Sequence, residues 1–92
     1  MEHIQSYTDK LTDWLERILL KGINKIDTKD MEELESLQES ALGYEMSFLA
    51  QLLAELAIHG KSYTRAAQAE MEPLIVRYLY VAQYVHMMKQ SA

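Results

Sequence analysis

Cysteine is absent from all 92 residues. Its absence excludes a disulfide framework and any thiolate metal site, and it fits a reducing cytoplasm, the expected location. Glycine is scarce, at three, and proline scarcer, at one. A fold of many short strands needs turn residues at regular intervals, so an all-β architecture is not expected. No apolar run approaches the ~18 residues that would cross a bilayer. The longest, Tyr78-Leu79-Tyr80-Val81-Ala82, is closed by Arg77 and Gln83. The opening Met1-Glu2-His3-Ile4-Gln5-Ser6 has neither the basic nor the apolar region of a secretory signal, so a soluble chain with no membrane contact is expected. Also missing are a Gly-rich phosphate loop, a Gly-x-Ser-x-Gly turn and the Asp-x-Asp-x-Asp-Gly spacing of a calcium loop. No catalytic residue and no cofactor are indicated.

What remains is an ordinary globular balance, 49% apolar and 25% charged, in a length that suits one domain over residues 1–92. The net charge of −5 is unevenly spread. Seven acids between Asp27 and Glu45 oppose Lys29 alone, whereas Lys61, Arg65, Arg77 and Lys89 outnumber Glu70 and Glu72 further on. An acidic middle and a mildly basic end can attract one another within a chain or between copies. No group of Lys and Arg is dense enough to neutralise several phosphates, so nucleic acid is not an expected partner.

Helical periodicity runs through most of the chain. Ile4, Tyr7, Leu11, Trp14, Leu15, Ile18 and Leu19 recur at three- and four-residue steps, which predicts an amphipathic helix over roughly 3–24. Asp27 and Thr28 are both competent caps for a second helix. Its stripe reads Leu34, Leu37, Ala41, Phe48, Leu52 and Leu56, widened by Leu42, Leu49 and Leu53, and His59-Gly60 is its expected end. A helix of about 30 residues would be ~45 Å long. Gly43 is the point at which it could bend or break. A third helix is expected from Ser62 or Thr64 to Met88, bent but continuous at Pro73, with Ala66, Ala67 and Ala69 close to Ala54 and Ala57. The fold class is therefore all-α, an antiparallel three-helix bundle with its third helix kinked at Pro73, or four helices should Gly43 break the second helix or Pro73 start a new one.

The stretch after Pro73 is apolar on nearly every face. Leu74, Tyr78, Val81, Val85 and Met88 share one side, while Ile75, Val76, Leu79, Tyr80, Tyr84 and Met87 occupy most of the rest. Such a helix needs cover on more than one side. A second copy of the chain is the expected source of that cover, as a homodimer through Leu74, Tyr78, Tyr80, Val81, Tyr84, Val85 and Met88; another protein is the alternative. Tyrosine suits such a contact because it joins apolar area to a polar tip.

Two other features invite chemistry. His3, His59 and His86 are never spaced to aim two ligands from one helix, so no metal site is expected. Glu45 projects between Leu42 and Leu49, near the middle of the second stripe. It is either a buried acid that needs Arg77, Lys89 or a tyrosine hydroxyl beside it, or a rim residue with its head in solvent. In the first case a small ligand-binding or catalytic bundle, with Glu45 and tyrosines lining a pocket, is the alternative function.

The runs Leu11-Thr12-Asp13-Trp14-Leu15-Glu16-Arg17-Ile18-Leu19-Leu20-Lys21-Gly22-Ile23, Met31-Glu32-Glu33-Leu34-Glu35-Ser36-Leu37 and Leu49-Ala50-Gln51-Leu52-Leu53-Ala54-Glu55-Leu56 cover about half the chain. Their leucine spacing resembles a helical region found in proteins associated with SWIM-type zinc fingers. The resemblance implies an accessory helical module. The Cys/His ligand set of a SWIM finger is not present, so no metal or DNA role carries over.

Overall fold

A computed structural model describes residues 2–66 and 70–91, with side chains from residue 4 onward. Among these residues there are four α-helices and no strand: α1 (Glu2–Lys21), α2 (Thr28–Gly43), α3 (Ser47–Arg65) and α4 (Glu72–Ser91), with a 3-10 turn at Ile23–Lys25. The chain is thus all-helical, and the second predicted helix is two.

The exit from α1 is set by Gly22, whose φ of 103° lies in the left-handed region that costs glycine little. Its amide still donates to the Ile18 carbonyl at 2.8 Å, which closes the helix at Lys21, three residues before the expected end. Of the two candidate caps, Asp27 takes the role. Its Oδ1 accepts from the Asp30 amide at 2.9 Å, and Asp30 Oδ2 accepts from the Asp27 amide at 3.0 Å, a reciprocal capping box.

The break between α2 and α3 is a Schellman turn. Met46 donates its amide to the Ala41 carbonyl at 2.9 Å and Glu45 donates to Leu42 at 3.0 Å, the two bonds that satisfy orphan carbonyls at a helix end. The left-handed residue that this turn requires is Glu45 (φ 60°), not a glycine. The non-helical Tyr44–Met46 segment also resets the helical phase. In one continuous helix Phe48 would share the buried stripe of Leu34 and Ala41. In the structure Leu34, Ala41, Leu49, Leu53 and Leu56 are buried, and Phe48 and Leu42 are exposed.

Gly60 does not end a helix, as its sequence context suggested. It lies inside α3, buried where α2, α3 and α4 converge. A Cβ there would stand 2.9 Å from Met31 Cε, overlap its Sδ and come within 3.8 Å of Leu74 Cδ1. Its role is close approach.

The third predicted helix is also corrected. α3 runs on to Arg65, Ala66 is extended (φ −123°, ψ 116°) and exposed, and α4 begins anew at Glu72. Pro73 occupies the first turn of α4, where its missing amide would have had no helical acceptor. The expected contacts of Ala67 and Ala69 fall outside the described residues, and Ala66 makes no buried one. A first-turn proline is the less strained outcome, because a bent helix would have lost a hydrogen bond at that point.

Contacts fix the directions of the helices. Tyr7 meets Leu37 and Trp14 meets Asp30, so α1 and α2 are antiparallel. The tight turn folds α3 back along α2, where Lys61 reaches Glu35 at 3.0 Å. Phe48 meets Tyr84, and Gly60 lies by Leu74, so α4 is antiparallel to α3. Tyr78 then returns the chain to α1 at Leu15. One continuous core joins all four helices, with Trp14, Ile18, Leu34, Leu53, Leu56 and Val81 at its centre. Each such side chain contributes on the order of 1.5–3 kcal/mol by leaving water.

Candidate interaction surface

The seven residues expected to form an interface divide between core and surface. Leu74, Tyr78, Val81 and Val85 are buried within this chain, against α1 and α3, and so are corrected from contact surface to core. Tyr84 and Met88 are half-buried at the core's edge, and Tyr80 is exposed. The cover that the sequence reading sought in a second chain comes, for this side of α4, from α1 and α3 of the same chain.

Tyrosine hydroxyls inside the bundle tie helices together. Tyr78 donates to the Leu15 carbonyl at 2.6 Å, and Tyr7 donates to the Leu37 carbonyl at 2.7 Å. Burial, with the nearby Tyr44 a lesser cause, pushes the Tyr7 hydroxyl up to about 12. Burial and then the charge of Glu16 raise that of Tyr78. Both act as neutral donors over the ordinary pH range.

A second cluster joins α1 to the start of α2. Lys21 Nζ lies 2.9 Å from Asp27 Oδ2 and 2.6 Å from Asp30 Oδ2, and Trp14 Nε1 donates to the Asp30 carbonyl at 3.1 Å. The Asp30 amide, foremost, and Lys21 hold the Asp27 carboxyl down at about 2. Arg17 grips Glu33 with two nitrogens, at 2.6 and 3.3 Å, beside a shallow cleft of about 330 Å³ between α1 and α2. These charges are consumed by the fold itself.

The other face differs. Between α3 and α4 runs an open groove of about 710 Å³, lined on the α3 side by Phe48, Leu52 and Glu55 and on the α4 side by Arg77, Tyr80, Gln83, Tyr84 and Met87. Phe48 is 58% exposed, Tyr80 50% and Met87 58%, so three large apolar side chains stand in water along one strip. Phe48 meets Tyr84 edge-on, with ring centres 5.2 Å apart. The Arg77 guanidinium lies 5.7 Å from the centre of the Tyr80 ring, and its Nε is buried without a hydrogen-bond partner among the described residues. A buried donor with no acceptor costs free energy in the isolated chain.

Sequence reasoning missed Phe48 and Arg77. The spacing of Phe48 from Leu34 and Ala41 is that of the core stripe, and nothing in the residues Tyr44–Met46 signals the phase reset. Arg77 was visible as a break in an apolar helix, and that isolated charge was the available signal.

Glu45 is exposed on the α2–α3 turn, which sets aside the buried-acid reading and leaves the one with its head in solvent. Its position is fixed by the backbone of the Schellman turn, and it lines neither the groove nor the cleft. His59 is half-buried in α3 and His86 exposed on α4, while His3 lies outside the described side chains. Among the described residues no group of three or more histidine, aspartate or glutamate side chains converges as metal ligands, and no helix is long and apolar enough to cross a membrane.

Set against family models, curated proteins and solved structures, the chain matches none of them.

Proposed function

We propose that this chain is a non-catalytic helical interaction module that associates with a second copy of itself through the exposed surface of α3 and α4. The observation that carries this reading is the strip of Phe48, Tyr80 and Met87 around the groove. Large apolar side chains scattered singly are normal on a surface, but a contiguous, groove-forming set with aromatic and arginine members has the composition of a protein contact. The resemblance to a SWIM-associated helical region points the same way, toward an accessory module without its own chemistry. The cytoplasmic location expected from the sequence belongs to the same proposal. The ligand-binding or catalytic alternative has no support from Glu45, which is exposed and lines neither the groove nor the cleft.

Light scattering on a size-exclusion column tests the reading. A species of about twice the 10.7 kDa chain mass at micromolar concentration is expected. Tyr80→Glu or Phe48→Glu should shift it toward the monomer while leaving helicity intact. A parent chain that stays monomeric across the micromolar range would overturn the proposal.

A further inference from the structure

Two charges of opposite sign line the α3–α4 groove. Glu55 and Arg77 both face into it, and neither forms an ion pair among the described residues. Elsewhere the helices pair Arg17 with Glu33, Lys21 with Asp27 and Asp30, and Lys61 with Glu35. Tyr80 offers the Arg77 guanidinium a ring face, which favours its charge but accepts none of its in-plane N–H groups.

The levels of these residues matter. Phe48 and Tyr84 touch across the groove. Glu55 lies seven residues after Phe48 in α3, and Arg77 lies seven residues before Tyr84 in α4. In antiparallel helices both steps advance about 10.5 Å in the same direction, so Glu55 and Arg77 stand at one level. The α3 wall therefore carries an aromatic and then an acid, and the α4 wall an aromatic and then a base, in matching order. A two-fold axis along the groove lays α3 of one copy over α4 of another without changing those levels. That self-complementarity is what a closed dimer contact requires.

We propose that two copies pair groove to groove about such an axis, with Arg77 of each copy meeting the partner's Glu55 and Phe48 of each seated against the partner's Tyr84. The proposal rests on the self-association above and adds its geometry. Each copy gives the other's Arg77 a carboxylate, and the exposed strip of Phe48, Tyr80 and Met87 is covered from both sides. An axis across the helices would instead lay α3 on α3 and α4 on α4, which takes the partner's Glu55 away from Arg77 and leaves both charges without a partner.

Charge exchange between separate chains tests it. R77E and E55R are made as two proteins, and circular dichroism checks that each keeps the parent's helix content. Alone, each variant juxtaposes like charges at both contacts, and its dimer dissociation constant should rise by at least about tenfold. Mixed one to one, both contacts again join an acid to a base, and a mixed dimer should form with an affinity within a few-fold of the parent's. Two results overturn the geometry and leave self-association standing. One is undiminished pairing of both single variants. The other is a mixture that stays monomeric while the double variant R77E/E55R recovers pairing, which would make the pair internal to one chain. A monomeric parent overturns both proposals and leaves the groove to a protein of different sequence.

Discussion

The α1–α2 side and the α3–α4 side are built from similar residues and treat them differently. On the first, Lys21, Asp27, Asp30, Arg17 and Glu33 are bound to one another, and Trp14 and Tyr7 have each found a carbonyl. On the second, Arg77 has a nitrogen unbonded and Glu55 no ionic partner among the described residues, and Phe48, Tyr80 and Met87 lie half or more in water. Polar and aromatic groups that are satisfied serve the fold. The same groups left open, on one strip, are where a partner gains most from docking.

Truncation should separate the two sides most sharply. Trp14 is 1% exposed and its indole holds the Asp30 carbonyl, so Trp14→Ala should cost about 3–5 kcal/mol in a urea melt. Phe48→Ala should change monomer stability by less than about 1 kcal/mol and act instead on association. Equal losses of stability at the two positions would break the distinction.

A smaller loss is expected from the buried hydroxyl between α4 and α1. Tyr78→Phe removes the second donor to the Leu15 carbonyl and with it the tie between α4 and α1, and should destabilise by about 1 kcal/mol. Tyr80→Phe, on the exposed groove wall, should leave the melting curve unchanged. Denaturation of the pair side by side checks this.

The two helical glycines should respond with opposite signs. Gly60→Ala crowds Met31 in a packed core and should destabilise by about 1 kcal/mol. Gly43, inside the last turn of α2, has nothing within 4 Å of an added Cβ, so Gly43→Ala should stabilise by about 0.5–1 kcal/mol. Melting temperatures read both signs directly.

Titration offers the finest comparison. The Asp27 carboxyl is held below its ordinary 3.8, at about 2, so its contribution is complete above pH 3.8 and fades as pH falls through 2. The Tyr7 hydroxyl is raised from 10.0 to about 12, so its contribution is complete below pH 10 and is lost as pH rises toward 12. Stability should therefore be level near neutrality with respect to these two groups. Asp27→Asn should flatten the acid limb and Tyr7→Phe the alkaline one.

Much of this was legible because the signals are local. Asp27 announced a cap through residue type and the acids that follow it, and the α1 stripe from Tyr7 to Ile18 gave its buried face by spacing alone. Its outer members Ile4 and Leu19 proved exposed, since a stripe does not say where its cover ends. Gly43 marked the place where the long second helix breaks. It did not reveal that the left-handed residue would be Glu45, which carries a Cβ and reads as helical in any window. Gly60 looked like a terminus because glycine serves both helix ends and close helix contacts.

The sequence by itself determined an all-helical chain, a helix start at Asp27 or Thr28 and the apolar character of α4, because each depends on residues within a turn or two of one another. Only the tertiary structure decided which side of α4 is core and which is surface. That choice follows from the phase reset at Tyr44–Met46, which turns Phe48 outward, and from the Tyr78–Leu15 contact, which turns the opposite side of α4 inward. Residues 15 and 78 are far apart along the chain, and no local pattern encodes a hydrogen bond between them.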